Sequence, residues 1–347
     1  MRVAVVGASG YTGAELVRLC VGHPRLELAA VCAERSAGSL IEQVFPHLAG
    51  RLSMELEAFD ADRIAARAET VLCALPHGQS ARVVAELVAR GRRVLDLSAD
   101  FRLRDPAAYA EWYGPEAHPY PELLAEAVYG LPELHRAELA GARLVAVPGC
   151  YPTAAILAAA PLLRAGLLAT GSLIVDGKSG VSGAGRGLAL ASHFAEVGEG
   201  VRPYKVAGGH RHTPEMEQEL GRAAGRAQRV SFTPQVVPMS RGILASVYGE
   251  PRDPSVTSDE LRAALDAFYR DEPFVTVVEN GLPDTSHVRG TNRAHVAVHL
   301  DKRAGRVLAL AAIDNLGKGA AGQAIQCLNL ACGWSETEGL GGVAAFP

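Results

Sequence analysis

The first hundred residues of the chain alternate between two hydrophobic periods. Short β-branched and apolar runs at residues 2–6, 26–32, 70–75 and 93–98 read as strands. Between them, apolar positions at helical spacing predict helices over 13–21 and 79–90, the second clearly amphipathic. Such alternation predicts parallel strands joined by right-handed crossovers, that is, a doubly wound sheet. The pattern is lost over 105–129, where Pro106, Pro115, Pro119 and Pro121 among several aromatics predict an irregular connection. It returns with a strand at 144–147 and a strong helix over 153–164, closed by Gly166.

The second half reads differently. Strands are predicted at 172–176, 230–237, 243–248, 274–278, 295–300 and 306–313, with helices only near 214–225 and 258–269. Runs of strands with few helices predict a mixed or mostly antiparallel sheet. A last helix is predicted over about 320–330, and the tail 339–347 reads as frayed.

A chain of 347 residues suits two domains, and 48% apolar residues give each a core. The net charge of −4 argues against nucleic acid or a membrane surface as partner, since those usually select basic chains. No apolar run approaches the roughly 20 residues of a membrane span. Residues 1–7 lead into a glycine turn instead of a signal-peptide core, so a cytoplasmic location is expected. None of the six cysteines forms a Cys-x-x-Cys pair, which argues against a zinc or redox motif. Five of them sit in apolar helical or strand contexts and read as small buried hydrophobes.

Candidate chemistry is concentrated in a few polar segments. Gly7-Ala8-Ser9-Gly10-Tyr11-Thr12-Gly13 joins the first strand to the first helix. Glycines there let the backbone approach a pyrophosphate, and the helix N-terminus offers N–H groups to it. A dinucleotide is therefore expected on Gly7, Ser9, Gly10, Tyr11, Thr12 and Gly13. After the second strand comes Ala33-Glu34-Arg35-Ser36; Arg35 and Ser36 suit the extra phosphate of NADP, whereas Glu34 suits the ribose hydroxyl of NAD. The expectation is NADP (NADPH).

The sixth cysteine, Cys150, differs from the others. It stands in Pro148-Gly149-Cys150-Tyr151-Pro152-Thr153, between a strand and a helix N-terminus, where open amides favour a thiolate. A nucleophilic thiol needs a proton partner. Among eleven histidines the outlying cluster is His210-Arg211-His212-Thr213-Pro214-Glu215, at the mouth of a helix. A His-x-His pair could ligate a metal, but no third ligand at zinc spacing is nearby, so no metal is expected. The preferred reading is a histidine poised against Cys150 and oriented by Glu215. A glycine-rich loop over 177–186, containing Lys178 and Ser179, lacks the Walker order but could cradle an anion with its amides. Arg102, after the fourth strand, and Arg289 are further candidate anion binders.

Taken together, 7–16, 75–78, 96–102, 146–153, 179–186, 209–215, 241–243 and 314–321 resemble the N-acetyl-γ-glutamyl-phosphate reductases of arginine biosynthesis, within the wider aspartate-semialdehyde dehydrogenase family. The resemblance covers nearly the whole chain. It implies a Rossmann-type doubly wound parallel sheet plus an α+β catalytic domain with a mixed or antiparallel sheet. The implied division is 1–149 for NADP binding and 150–314 for catalysis and dimerisation, with a helix at 315–333 returning to the first domain. It implies reduction of an acyl phosphate to an aldehyde through a cysteine thioester, releasing inorganic phosphate, in a homodimer or homotetramer. By resemblance Cys150 is the nucleophile, His212 and His210 the acid/base candidates (His212 first), and Tyr204 and Glu215 their neighbours. Arg102 is expected to hold the phosphate, with Arg186, Arg211 and Arg241 as candidates for the substrate carboxylate. Asn315 is expected at the nicotinamide, with Ser179 and Gly180 on the cofactor. Two alternatives are a reductase of carrier-bound aminoadipyl phosphate in lysine biosynthesis and a non-catalytic NAD(P)-sensing protein. Tyr151-Pro152-Thr153 after the cysteine favours the arginine type.

Overall fold

The computed structural model describes residues 1–114, 118–171 and 173–346. Pro115, Ser172 and Pro347, which figure in the expectations above, lie outside the described residues. The chain divides into two compact units. The first holds Met1–Pro148, Gly185–Gly187 and Ala320–Gly341; the second holds Gly149–Ala184, Leu188–Gly319 and the tail from Gly342.

In the first unit, β1 (Arg2–Val6), β2 (Glu27–Cys32), β3 (Thr70–Cys73), β4 (Arg93–Asp96), β5 (Val128–Tyr129) and β6 (Leu144–Ala146) form a wholly parallel sheet in the order β2-β1-β3-β4-β6-β5. The buried residues of β1, β3 and β4 are almost unbroken apolar runs, as a sheet covered on both faces requires. The strand order reverses between β1 and β3, which places a crevice at their carboxyl ends, where ligands of doubly wound sheets bind. Helix α1 (Tyr11–Gly22) follows β1, and α2 (Ser80–Ala89) follows β3.

The connection over 105–129 is more regular than its prolines predict. It contains the short helices Pro106–Tyr113 and Pro121–Glu126. Both prolines stand in the first turn, where the missing N–H has no intrahelical partner to lose, and the Asp105 carboxylate caps the Ala107 N–H.

The second unit is built on a seven-stranded mixed sheet. Its strands are β7 (Leu173–Ser179), β8 (Arg202–Pro203), β9 (Val230–Val236), β10 (Ile243–Gly249), β11 (Val275–Val277), β12 (Ala294–Asp301) and β13 (Arg306–Ile313), ordered β11-β12-β13-β10-β7-β9-β8. β7/β9 and β11/β12 are parallel; the other pairs are antiparallel. Helix α3 (Cys150–Arg164) is buried from Tyr151 to Leu163 and packs on β10 and β13, with α4 (Thr213–Ala224) and α5 (Ser258–Tyr269) beside it. Its alanines let the helix lie close to the sheet, and the Tyr269 hydroxyl donates to the Leu157 carbonyl to bind α5 to it. α5 starts in a capping box, with Thr257 and Glu260 each satisfying the other's N–H. The last helix, α6 (Gly322–Ala331), belongs to the first unit and packs on α1.

β7 extends to Ser179, so Gly177, Lys178 and Ser179 belong to a strand and not to the glycine-rich loop predicted for them. Gly177 is there because the Tyr151 ring lies against it: a Cβ would come within 2.7 Å of that ring. Lys178 pairs with Asp176 at 2.8 Å.

Candidate active site

In the first unit, the glycine turn is shaped by close backbone approach. Gly7 has φ +86°, and a Cβ on it would stand 2.4 Å from the Ala74 carbonyl oxygen at the end of β3. A Cβ on Gly13 would stand 2.2 Å from the Gly7 carbonyl oxygen. The Gly7 and Ala8 N–H groups both donate to the Cys32 carbonyl, tying the turn to the end of β2. Gly10 is the N-cap of α1 and supplies no side chain, so no side chain caps the helix amides on the ligand side. Backbone that only glycine can adopt, followed by helix amides with no side-chain cap, fits the pyrophosphate of a nicotinamide dinucleotide. Arg35 and Ser36 lie in a short turn after β2, with Arg35 exposed. The Glu34 carboxylate accepts the Phe59 N–H at 3.0 Å.

Arg186, expected on the substrate, belongs to the first unit. Its guanidinium donates to the Ser9 and Val44 carbonyls and lies 4.4 Å from the Phe45 ring centroid. Its place is therefore beside the glycine turn. At the carboxyl edge of the same sheet, 96–102 is knotted to its surroundings. The buried Asp96 carboxylate accepts the Ser80 and Ser98 hydroxyls, and burial pushes it up to about 6. Asp100 accepts the Gly78 and Ala81 N–H groups at the start of α2. Arg102 is buried and donates to the Leu97 and Val147 carbonyls at 2.8 and 2.7 Å. It is fixed at the carboxyl edge of that sheet.

In the second unit, Gly149 is the N-cap of α3 and Cys150 its first residue, half-buried. No side chain caps the helix. Instead the Gly149 carbonyl takes both the N–H and the hydroxyl of Thr153 at 2.9 Å. The Gly149 N–H donates to the Glu215 carboxylate at 2.8 Å, and Glu215 is only 1% exposed. Glu215, expected to orient a histidine, is thus bonded to the backbone of the thiol turn. His212 is the N-cap of α4, and its ring lies directly against Gly149: a Cβ there would stand 2.5 Å from His212 Nε2. Gly319 closes the other side, since a Cβ on it would stand 2.9 Å from Cys150 Cβ.

Around these residues lies an aromatic enclosure. The His210 ring makes edge-to-face contacts with Tyr151, Tyr204, Phe232 and His212, at centroid distances of 5.8, 5.5, 5.2 and 4.7 Å. The Tyr204 hydroxyl is 3.5 Å from that of Tyr151, which donates to the Gln235 carbonyl. Burial raises both phenols, Tyr204 to about 12, so both are neutral at physiological pH. Burial, aided by Lys205, lowers His210 to about 4.

A second network supports the turn. The buried Asp314 carboxylate takes Arg241 Nε and Nη2 and the N–H groups of Gly290, Leu316 and Gly317. Asn315 accepts the Gly242 N–H through its side-chain oxygen and donates to the Ser182 hydroxyl. Gly180 is pressed against the backbone of 239–241, with Met239 O 2.9 Å from where its Cβ would be. Ser179, Gly180, Arg241 and Asn315 are thereby brought together. Arg241 is paired with Asp314, Arg186 belongs to the first unit, and Arg211 lies between the two histidines in sequence.

Sequence reasoning missed Tyr151, Gly319 and Asp314. Tyr151 adjoins the thiol in sequence and was legible only as a neighbour. Asp314 and Gly319 carried a usable signal, an acidic residue followed by a glycine-rich stretch after a strand, but not the distance to Cys150.

Comparison with known proteins gives one picture. The family model described as "Semialdehyde dehydrogenase, NAD binding domain" matches residues 2–142, and that described as "Semialdehyde dehydrogenase, dimerisation domain" matches residues 150–315. A protein of Citrifermentans bemidjiense named N-acetyl-gamma-glutamyl-phosphate reductase is 50% identical, covering 100% of both chains. One of the same name from Desulforudis audaxviator is 52% identical over 98% of each. Among solved structures, aspartate semialdehyde dehydrogenase II of Vibrio cholerae, complexed with ASA, shares the fold at TM-score 0.72 and 17% identity, covering 95% of this chain and 97% of its own. Aspartate semialdehyde dehydrogenase of Candida albicans with NADP does so at TM-score 0.69 and 13% identity, with the same coverage.

Proposed function

This chain belongs to the semialdehyde dehydrogenase family, and from that premise we propose that it reduces N-acetyl-γ-glutamyl phosphate to N-acetylglutamate semialdehyde with NADPH, in arginine biosynthesis. The observation that best supports the chemistry is the approach of the His212 ring to Gly149, the residue before Cys150.

The cofactor is a nicotinamide dinucleotide, held by Gly7, Ser9, Gly10, Tyr11, Thr12 and Gly13. NADP is our choice between the two forms, because the Glu34 carboxylate is tethered through one oxygen to the Phe59 N–H, while the exposed Arg35 beside Ser36 offers a cation for the extra phosphate. When bound, the reduced nicotinamide supplies the hydride that takes an acyl group to the aldehyde level.

The chain's own residues do the rest. The partial positive charge at the N-terminus of α3 favours the Cys150 thiolate, which attacks the acyl carbon. A C–S bond forms and the bond to the phosphate oxygen breaks; a proton held on His212 passes to the departing phosphate, for which Arg102 is the assigned cation. His212, reprotonated from solvent, then steadies the tetrahedral oxygen of the hemithioacetal. Breaking the C–S bond releases aldehyde and returns the thiolate. One proton is consumed per turnover. Glu215 holds the Gly149 N–H and so fixes the turn, and Arg211 is assigned to the substrate carboxylate. Asn315, Ser179 and Gly180 are assigned to the cofactor side. We assign the partner copy of a homodimer to the sheet face bearing Ile174 and Tyr248, which are paired in register and exposed.

The test is the reverse reaction: NADP reduction by N-acetylglutamate semialdehyde with phosphate, run beside NAD and beside aspartate semialdehyde. Phosphate-dependent NADPH formation with the acetylated aldehyde alone is expected. Activity on neither aldehyde would overturn the substrate assignment.

A further inference from the structure

The two histidines of 210–212 are not equivalent. The His212 backbone N–H donates to His210 Nδ1 at 3.1 Å. A ring nitrogen that accepts a hydrogen bond carries a lone pair, so the single proton of the neutral ring is on Nε2. The His210 carbonyl meanwhile accepts the Thr213 N–H at 3.0 Å, so His210 grips the start of α4 through both its side chain and its backbone. The ring is 9% exposed and fenced by Tyr151 from α3, Phe232 from β9, Tyr204 and His212. Protonating it would break the bond to His212 and place a cation in a largely aromatic enclosure, with Lys205 already adding positive charge.

We propose that His210 is a positioning residue: locked as the neutral Nε2–H tautomer, it holds the backbone of His212 through Nδ1 and so sets where the His212 ring stands against Gly149, beside Cys150. It neither gives up nor takes a proton during turnover. This rests on the reading of His212 as the proton carrier, and it divides between two histidines a role the sequence leaves shared.

The test compares three variants. In His210→Asn the side-chain oxygen can take the place of Nδ1 as acceptor, whereas His210→Ala removes the acceptor and His212→Asn removes the proton carrier. His210→Asn is expected to keep kcat within about threefold of wild type, with the same pH profile. His210→Ala should lose about tenfold to a hundredfold in kcat, with little change in KM, because the His212 ring is no longer held in place. His212→Asn should lose more than about a hundredfold. A readout independent of turnover is ¹⁵N NMR of histidine-labelled protein, with the His210 signals assigned by their loss in His210→Asn. They should show protonation on Nε2 only and no titration between about pH 5 and 8. A His210 ring that titrates in that range or is protonated on Nδ1 would overturn the proposal. So would a His210→Asn enzyme as impaired as His212→Asn. A His212→Asn enzyme with wild-type turnover would instead sink the reading of His212 itself, leaving the tautomer of His210 to be judged by NMR alone.

Discussion

The turns after β1 and β6 each lead from a parallel strand into a helix, and both helices begin without a side-chain cap. They use glycine for opposite ends. In the turn after β1, glycine makes room for backbone: Gly7 takes a left-handed φ of +86°, and the atoms nearest to where Cβ would be on Gly7 and Gly13 are main-chain carbonyls. In the turn after β6, Gly149 has an ordinary φ of −68°, which any residue could adopt. What excludes a side chain there is the ring of His212, 2.5 Å from the position of a Cβ. In the first turn the glycines bring backbone against backbone. In the second the glycine admits an imidazole ring against the residue before the thiol.

If that contrast is right, substitutions in the second turn should strike kcat and leave cofactor binding alone, and those in the first should do the reverse. Cys150→Ala has the largest expected effect, a loss of at least about ten-thousandfold in the phosphate-dependent reverse reaction, as removal of a nucleophile brings. The Kd for NADPH, read by fluorescence titration, should not move. An enzyme that kept substantial turnover would show that no thioester forms on this sulfur.

Gly149→Ala comes next. The added methyl displaces the His212 ring, and an error of about 1 Å in a catalytic group can reduce rate by about a hundredfold. We expect that loss in kcat with an unchanged NADPH Kd. Full activity would mean that the ring can give way without consequence, and the contact would then be packing alone. Gly13→Ala is the counterpart in the first turn. Its methyl meets the Gly7 carbonyl, main-chain atoms that cannot swing aside, so α1 must shift as a whole. The expected outcome is a KM for NADPH raised about tenfold and a thermal stability lowered by about 1–3 kcal/mol, with kcat at saturating cofactor nearly retained. A drop in kcat with unchanged KM would reverse the contrast.

The same difference decides what could be read from sequence. The glycine turn was legible because its requirements are local: a strand, glycines within seven positions, and a helix. The strand–helix alternation of the first unit and the mixed sheet of the second were legible for the same reason, from period and turn residues. The thiol turn was only half legible. Gly149 and Pro152 mark Cys150 out as a candidate, but the Glu215 carboxylate that holds the turn lies 66 positions from Gly149. No periodicity reports that Gly319 backs against Cys150 either. Gly177 misled for a related reason: a glycine beside lysine and serine reads as a loop, and only the Tyr151 ring packed on it shows why a strand needs it. Nothing in the sequence showed what Arg186 and Arg241 touch: one is bonded to the glycine turn and the other to Asp314, and neither partner is a neighbour in sequence.

The smallest effect we predict tests the choice of cofactor, where the residue type alone pointed both ways. Glu34 and Arg35 are adjacent, and an acid at the end of the second strand ordinarily selects the ribose hydroxyls of NAD. Here one oxygen of the carboxylate accepts the Phe59 N–H, while both Glu34 and Arg35 are exposed in that turn. A charge-assisted bond from an exposed arginine to a phosphate is partly screened, so its loss should be modest. Arg35→Ala is expected to raise the KM for NADPH about tenfold, leave the KM for NADH unchanged, and reduce the salt dependence of NADPH binding. Glu34→Gln, which removes the charge and keeps an acceptor for Phe59, should leave the preference where it is. Should Arg35→Ala bind both cofactors as wild type does, or Glu34→Gln move the balance toward NADPH, then Glu34 and not Arg35 governs the choice.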